Sequence, residues 1–206
     1  MSTPDEIAAA YDARAAEYIE MLGDVSQSAD VDREEIGLWA DAVHGTILDA
    51  GCGPGLWTGF VHDRRGGVVG MDASERFIVH ARQTRPNLDF LHGSFTDIPV
   101  PDGSLGGILA WYSLIHTPPA EMPSALAEFA RVLRPEGSLL IGYFEGEPRE
   151  GFAHAVAPAH YWSAASLSEL LVEAGFTVTA TRDRPRERGE ASARPHGSLV
   201  TRRNGL

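Results

Sequence analysis

Five short apolar runs, at residues 46–50, 67–71, 88–92, 106–111 and 138–144, recur along the chain with helix-length segments between most of them. Runs of this length read as strands, and the segments 56–64, 74–84 and 121–133 fit helices. A strand, a helix and a second strand form a crossover unit, which joins parallel neighbours. Strands that are apolar on both faces belong to a sheet covered on both sides. The pattern predicts an α/β fold with a mostly parallel sheet and helices on both faces.

The ends depart from this rhythm. "TPDE" places Thr3 as an N-cap, Pro4 at the first helical position and Glu6 at capping-box spacing. It predicts a helix to about Met21 that Gly23 stops, and a second helix fits 32–43. Residues 1–45 therefore read as a helical cap. Residues 145–162, "EGEPREGFAHAVAPAHYW", are rich in Pro and Gly without a clean period and read as a loop or lid. A helix over 164–174 has Ser166 and Glu169 at capping-box spacing, with Gly175 as its stop. "FTVTATRD" and "HGSLVTRR" are alternating strands with no helix between them, so they pair antiparallel. No internal repeat appears, and residues 1–206 read as a single domain.

Charge and cysteine content narrow the function. A net charge of −12 argues against DNA or RNA as partner. No apolar run approaches the ~20 residues that span a bilayer, and the start lacks the pattern of a secretory signal. One cysteine, Cys52, makes no internal disulfide, so the cytoplasm is expected. All seventeen basic residues are arginine, which reads as the codon bias of a GC-rich genome, and seven of them lie from Arg182 onward.

The first run leads into "ILDAGCGPG", with glycines at 51, 53 and 55 and an acid, Asp49, just before them. A glycine-rich turn between a strand and a helix brings backbone close to a ligand, although a tight structural turn uses the same residues. The dinucleotide spacing G-x-G-x-x-G is missed, because position 56 is Leu56. Asp72, in "GMDAS" after the second run, stands where an acid binds ribose hydroxyls. Together these features suit a nucleoside ligand.

"LDAGCGPG", "GMDAS", "RVLRPEGSLLI" and "LSELLVEAGFTV" follow one another in an order that resembles the class I S-adenosylmethionine-dependent methyltransferases. The resemblance runs from "YDARAAEY" to the terminal strands. It implies a Rossmann-like sheet of seven strands with the last one antiparallel, and S-adenosylmethionine as cofactor with a small molecule as methyl acceptor. It implies that the bare loop of Gly51, Gly53 and Gly55 passes beneath the methionyl part, with Asp49 near its ammonium group and sulfonium. Asp72 then takes the ribose, with Ala73 beside it. Adenine passes the segment "LHGSFTDIP", where Ser94 replaces the acid of many relatives and the Phe95 N–H offers a substitute contact. Asp97 is either a nearby acid or a turn residue. Trp111, at the end of a strand, flanks the cofactor or is plain core. Tyr11 matches a tyrosine that folds over the methionine moiety, although amphipathic packing explains both Tyr11 and Tyr18 equally well. Cys52 reads as a small packed side chain rather than a reactive thiol.

For the chemistry, His116 in "SLIHTPP" is the base candidate, the alternative being a histidine that caps its loop. His154, His160, Tyr161 and Trp162 lie in the segment that commonly covers the acceptor, or are loop surface. Arg186, Arg188 and Arg194 read as solvated surface, with an acidic acceptor as the alternative. No spacing suits a metal. Two rival readings remain: a non-catalytic protein that binds S-adenosylmethionine or a nucleoside, and an NAD-type oxidoreductase. Oligomeric state and acceptor atom are open at this level.

Overall fold

The computed structural model of the protein describes residues 3–21, 25–184 and 194–205. Three helices lead: α1 (Pro4–Ala13), α2 (Ala15–Met21) and α3 (Asp30–Ala42). Then β1 (Ile47–Ala50), α4 (Leu56–Arg65), β2 (Val68–Asp72), α5 (Glu75–Thr84), β3 (Asp89–His92) and β4 (Leu105–Trp111) alternate. They are followed by α6 (Met122–Val132), β5 (Leu133–Phe144), the short strands β6 (Gly151–Phe152) and β7 (Ala159–His160), α7 (Ala164–Glu173), β8 (Phe176–Arg184) and β9 (His196–Arg203). The main sheet has seven strands in the order β3-β2-β1-β4-β5-β9-β8. The pairs β1–β2, β2–β3, β1–β4 and β4–β5 are parallel, and β9 runs antiparallel to both β5 and β8. The Rossmann-like sheet with a reversed last strand is present.

Strand alternation sends successive side chains to opposite faces. Leu48, Ile108, Leu139 and Ile141 join a core with Leu126 and Phe129 of α6 and Leu167 and Leu171 of α7. Their neighbours Ile47, Leu109 and Leu140 join a second core with Ile36 and Trp39 of α3 and Val61 of α4. A third cluster packs Ile78 and Ala81 of α5 on Phe90. Two buried faces explain the unbroken apolar runs.

Four local details differ from the sequence reading. The first helix breaks at Arg14, whose N–H turns back to the carbonyls of Tyr11 and Asp12. The break lies where Asp12 accepts from the Ser74 hydroxyl at 2.5 Å and from the Arg76 N–H, tying α1 to the start of α5. Gly23, the expected stop, lies outside the described residues. The cap of α7 is Ser163, which bonds reciprocally with Ser166, rather than Ser166 with Glu169. Strand β5 begins at Leu133, five residues before the apolar run, with an irregular register against β4 between Leu105 and Gly107. Finally, residues 145–162 carry the antiparallel hairpin β6–β7, which the Pro and Gly content hid. Among the described residues no helix is long and apolar enough to cross a membrane.

Candidate functional site

A cavity of about 850 Å³ opens at the carboxyl ends of β1, β2, β4 and β5, where ligands bind in open α/β sheets. Its floor is the loop from Gly51 to Gly55. All three glycines hold left-handed backbone, at φ 79°, 55° and 92°, which non-glycine residues rarely adopt. Their surroundings differ. A Cβ on Gly51 would lie 2.3 Å from Cβ of Ser113, and one on Gly55 would lie 3.1 Å from the Phe90 ring. A Cβ on Gly53 would meet nothing within 4 Å, and Gly53 lines the cavity. Crowding by protein explains the first and third glycines; only the second keeps space clear for a ligand.

The loop's N–H groups are all taken by protein acceptors. Those of Gly51 and Cys52 donate to the Met71 carbonyl at 2.7 and 2.9 Å, and that of Gly55 donates to the Cys52 carbonyl at 3.0 Å. Gly53 N–H donates to Asp72 Oδ2 at 2.8 Å. Pro54 has none. No donor of this loop is left to face a pyrophosphate, so the arrangement does not suit a dinucleotide.

Asp72 ends β2 with its carboxylate at the cavity edge. Ser74 N–H donates to its other oxygen at 2.8 Å. Burial raises its pKa, and these backbone donors oppose the rise. Each oxygen accepts one bond from protein and keeps a second lone pair for a ligand hydroxyl. Ala73, Ser94, Phe95 and Trp111 line the same cavity. Gly142 stands opposite Trp111 in the β4–β5 register, and a Cβ there would lie 2.8 Å from the indole. That glycine lets the indole lie against β5. The Ser113 hydroxyl is buried at the cavity wall and has no protein partner. An open cradle at Gly53, a carboxylate edge and an unpartnered hydroxyl fit a ribose-bearing cofactor.

Helix α1 closes the opposite side. Tyr11 lines the cavity, and its phenol bonds His116 Nε2 at 2.8 Å. His116 Nδ1 lies 2.9 Å from the Pro158 carbonyl. A carbonyl only accepts, so Nδ1 carries the proton and Nε2 of the neutral ring accepts from Tyr11. Burial lowers the His116 pKa and raises that of Tyr11. The rings of His116 and His154 meet at 4.9 Å. Burial, with His116, Arg194 and Arg14 nearby, holds His154 down at about 4. Both histidines are therefore neutral at pH 7.

A family model described as a methyltransferase domain matches residues 47–137. A probable S-adenosylmethionine-dependent methyltransferase of Mycolicibacterium smegmatis is 31% identical over 163 residues, which cover 75% of this chain and 61% of that protein. The chain is similar to S-adenosylmethionine-dependent methyltransferases over most of its length. It spans about six tenths of the length of this relative. The [4+2]-cyclase SpnF shares the fold at a TM-score of 0.83 with 19% identity, over 100% of this chain and 98% of that one. The 1,6-didemethyltoxoflavin-N1-methyltransferase of Burkholderia thailandensis does so at 0.77 with 22% identity, over 100% and 92%.

Against the expectations for such a methyltransferase, several residues are placed differently. Asp49 is 2% exposed, and its carboxylate accepts from Thr58 Oγ1 at 2.6 Å. It lies beneath the loop, not on the cavity wall, because the side chain points toward α4; burial pushes its pKa up to about 7. Gly55 also lies behind the wall, against Phe90. In the hairpin segment His154 alone of the four expected residues lines the cavity. His160 is held in the β6–β7 pairing, Tyr161 packs on Phe152 at 4.3 Å, and Trp162 is buried in the core under the sheet. None of these three lines the cavity. Asp97 closes a turn on Ser94 and is exposed. Cys52 is packed, with its thiol pKa raised by burial.

Arg194 reaches the Tyr161 hydroxyl and the Ala153 carbonyl and does not line the cavity; Arg186 and Arg188 lie outside the described residues. Among the described residues no cluster of His, Cys, Asp or Glu suits a metal ion. The sequence reading missed Trp57, Tyr112, Ser113, Phe144 and His196, all on the wall. The strand-end rule that singled out Trp111 points equally to Phe144, which ends β5.

Proposed function

We propose that the protein transfers a methyl group from S-adenosylmethionine to a small-molecule acceptor. The observation that carries this reading is the pairing of the open cradle at Gly53 with the Asp72 carboxylate, joined by one hydrogen bond on one wall. Bound there, the cofactor supplies an electrophilic methyl group on a sulfonium centre. Asp72 would hold the ribose hydroxyls, with Ala73 beside it. Gly51 and Gly53 would accommodate the methionyl part, Ser94 and Phe95 the adenine, and Tyr11 and Trp111 would enclose the whole. Exclusion of water and fixed orientation supply much of the rate for such a transfer.

Where the acceptor must lose a proton, His116 is the base of the proposal. Its Nε2 is engaged by Tyr11, so the proton reaches it through the phenol: Tyr11 passes its own proton to Nε2 and takes one from the acceptor. The hairpin over residues 145–162 serves as a lid in this reading. Its loop carbonyls at Ala153, Ala155 and Pro158 are held by Arg194, Arg14 and His116 respectively.

A small-molecule acceptor is supported by the size of the cavity, about 850 Å³, and by the toxoflavin precursor named for one structural neighbour. The charge of −12 supports a partner other than nucleic acid, and the lone, unpaired Cys52 supports a cytoplasmic setting. A protein that binds the cofactor without transferring its methyl group is the second reading, suggested by a fold neighbour whose name gives a cyclisation rather than a methyl transfer. Calorimetry with S-adenosylmethionine, S-adenosylhomocysteine and NAD tests the cofactor assignment, with NAD expected not to bind. A mass-shift screen over small-molecule pools tests turnover; cofactor binding with no +14 product in any pool would favour the binder.

A further inference from the structure

We infer that the part of the cavity walled by Trp57, Trp111, Tyr112, Phe144 and His196 is a subsite for a planar, uncharged aromatic acceptor. The inference rests on the transfer reading above and adds the acceptor's chemical class. The five rings come from four elements and the turn after β4, yet they form one continuous wall. Trp57 lies 6.5 Å from Trp111, Trp111 5.3 Å from Tyr112, and Tyr112 5.0 Å from Phe144. His196 closes the series, 5.4 Å from Tyr112 and 5.5 Å from Phe144. All five line the cavity. Trp57 and Trp111 pack against one core and Tyr112 against another, while remaining only partly buried. Each of these three is therefore supported from behind and presents ring surface to a ligand.

Tyr112 carries the further mark of a built site. Its backbone is at φ 53°, a conformation an aromatic residue adopts only where surrounding structure imposes it. The phenol bonds His196 Nδ1 at 2.6 Å. This sets one polar contact within a wall of rings, as needed to orient a flat ligand through a single hydroxyl or N–H.

The charges around the cavity exclude other classes. Among the described lining residues there is no arginine or lysine, and the acids are Asp32, Asp72 and Glu121. Asp32 is paired with Arg184 at 3.2 Å. The Arg194 guanidinium lies 4.1 Å from the Phe152 ring centre and 5.9 Å from that of Phe144, off the lining. A carboxylate or phosphate entering here would lose its hydration with no lining cation to replace it. A saturated acceptor would fill the volume but forfeit the ring contacts.

The test uses the full chain saturated with S-adenosylhomocysteine and three probes of similar size: 2-naphthol, 2-naphthoate and decahydro-2-naphthol. Titration calorimetry at pH 7.5 should show 2-naphthol binding at least about tenfold more tightly than either of the others. Phe144→Leu should reduce the preference over the saturated alcohol to within about threefold, with S-adenosylhomocysteine affinity unchanged. If 2-naphthoate or the saturated alcohol binds as tightly as 2-naphthol, or if none of the three binds, the inference is overturned while the cofactor assignment stands. If S-adenosylhomocysteine itself does not bind, the transfer reading fails and this one with it.

Discussion

Asp49 is a buried carboxyl, 2% exposed, whose hydrogen bonds come from Thr58, so its protonation state should be written into the pH dependence of folding. Burial raises its pKa from 3.8 to about 7 in the folded protein, while the unfolded chain keeps an ordinary value near 3.9. Between those values the folded state holds a proton that the unfolded state has released. Stability contributed by this site is therefore fully present below about pH 4 and lost as pH rises toward about 7. At about 1.4 kcal/mol per pH unit the whole loss is about 4 kcal/mol, of which about 3 falls above pH 5.

Asp49→Asn removes the titration. The amide is still able to accept from Thr58, but its NH2 gains no assured acceptor, a pH-independent cost of about 1–3 kcal/mol. Comparing variant with wild type at two pH values cancels that cost. Urea unfolding at pH 5 and pH 8.5 should show the variant gaining about 3 kcal/mol relative to wild type at the higher pH. A difference that stays within about 0.5 kcal/mol across this range would show that Asp49 is ionised at both pH values, and would refute the burial argument.

The two inner glycines should separate by assay. Gly51→Ala collides with Ser113 and should lower the melting temperature sharply. Gly53→Val, with open space beside it, should abolish S-adenosylhomocysteine binding in calorimetry with a smaller stability loss from its left-handed backbone. Asp72→Ala should weaken S-adenosylmethionine binding by about 1–3 kcal/mol, since ribose hydroxyls and the Gly53 and Ser74 N–H groups lose their acceptor; unchanged affinity would misplace the site. His116→Ala should lower kcat by about 10²–10⁴-fold on a protonated acceptor at nearly unchanged cofactor affinity. Because burial lowers the His116 pKa, the acidic limb of the wild-type kcat–pH profile should lie below the ordinary histidine value. A kcat within a few-fold of wild type would remove the base assignment.

The sequence by itself determined those features that are local in cause. Apolar runs with intervening helical segments encode crossover units, so the parallel sheet and the antiparallel end were legible from period and length alone. Asp72 was legible too, since an acid directly after a strand must emerge at the sheet's carboxyl edge. The left-handed turns at Gly51, Gly53 and Gly55 were likewise visible, but their separate reasons were not. Ser113, Phe90 and the cavity stand beside them only once β4 and β3 are in place. Tertiary structure also decided the fate of Asp49, whose side chain meets Thr58 because α4 packs over that face of β1. His160, Tyr161 and Trp162 were expected as acceptor residues or loop surface, whereas the β6–β7 pairing holds His160, Tyr161 packs on Phe152 and Trp162 is buried in the core. The aromatic wall was the least legible part. Phe144 and His196 meet because β9 runs beside β5 in reverse, bringing its first residue to the end of β5 where the cavity opens, and Trp57 joins the wall from α4 through Trp111. Periodicity reports which face a residue takes within its own element, but the partners it meets there depend on strand order, which is a property of the whole chain.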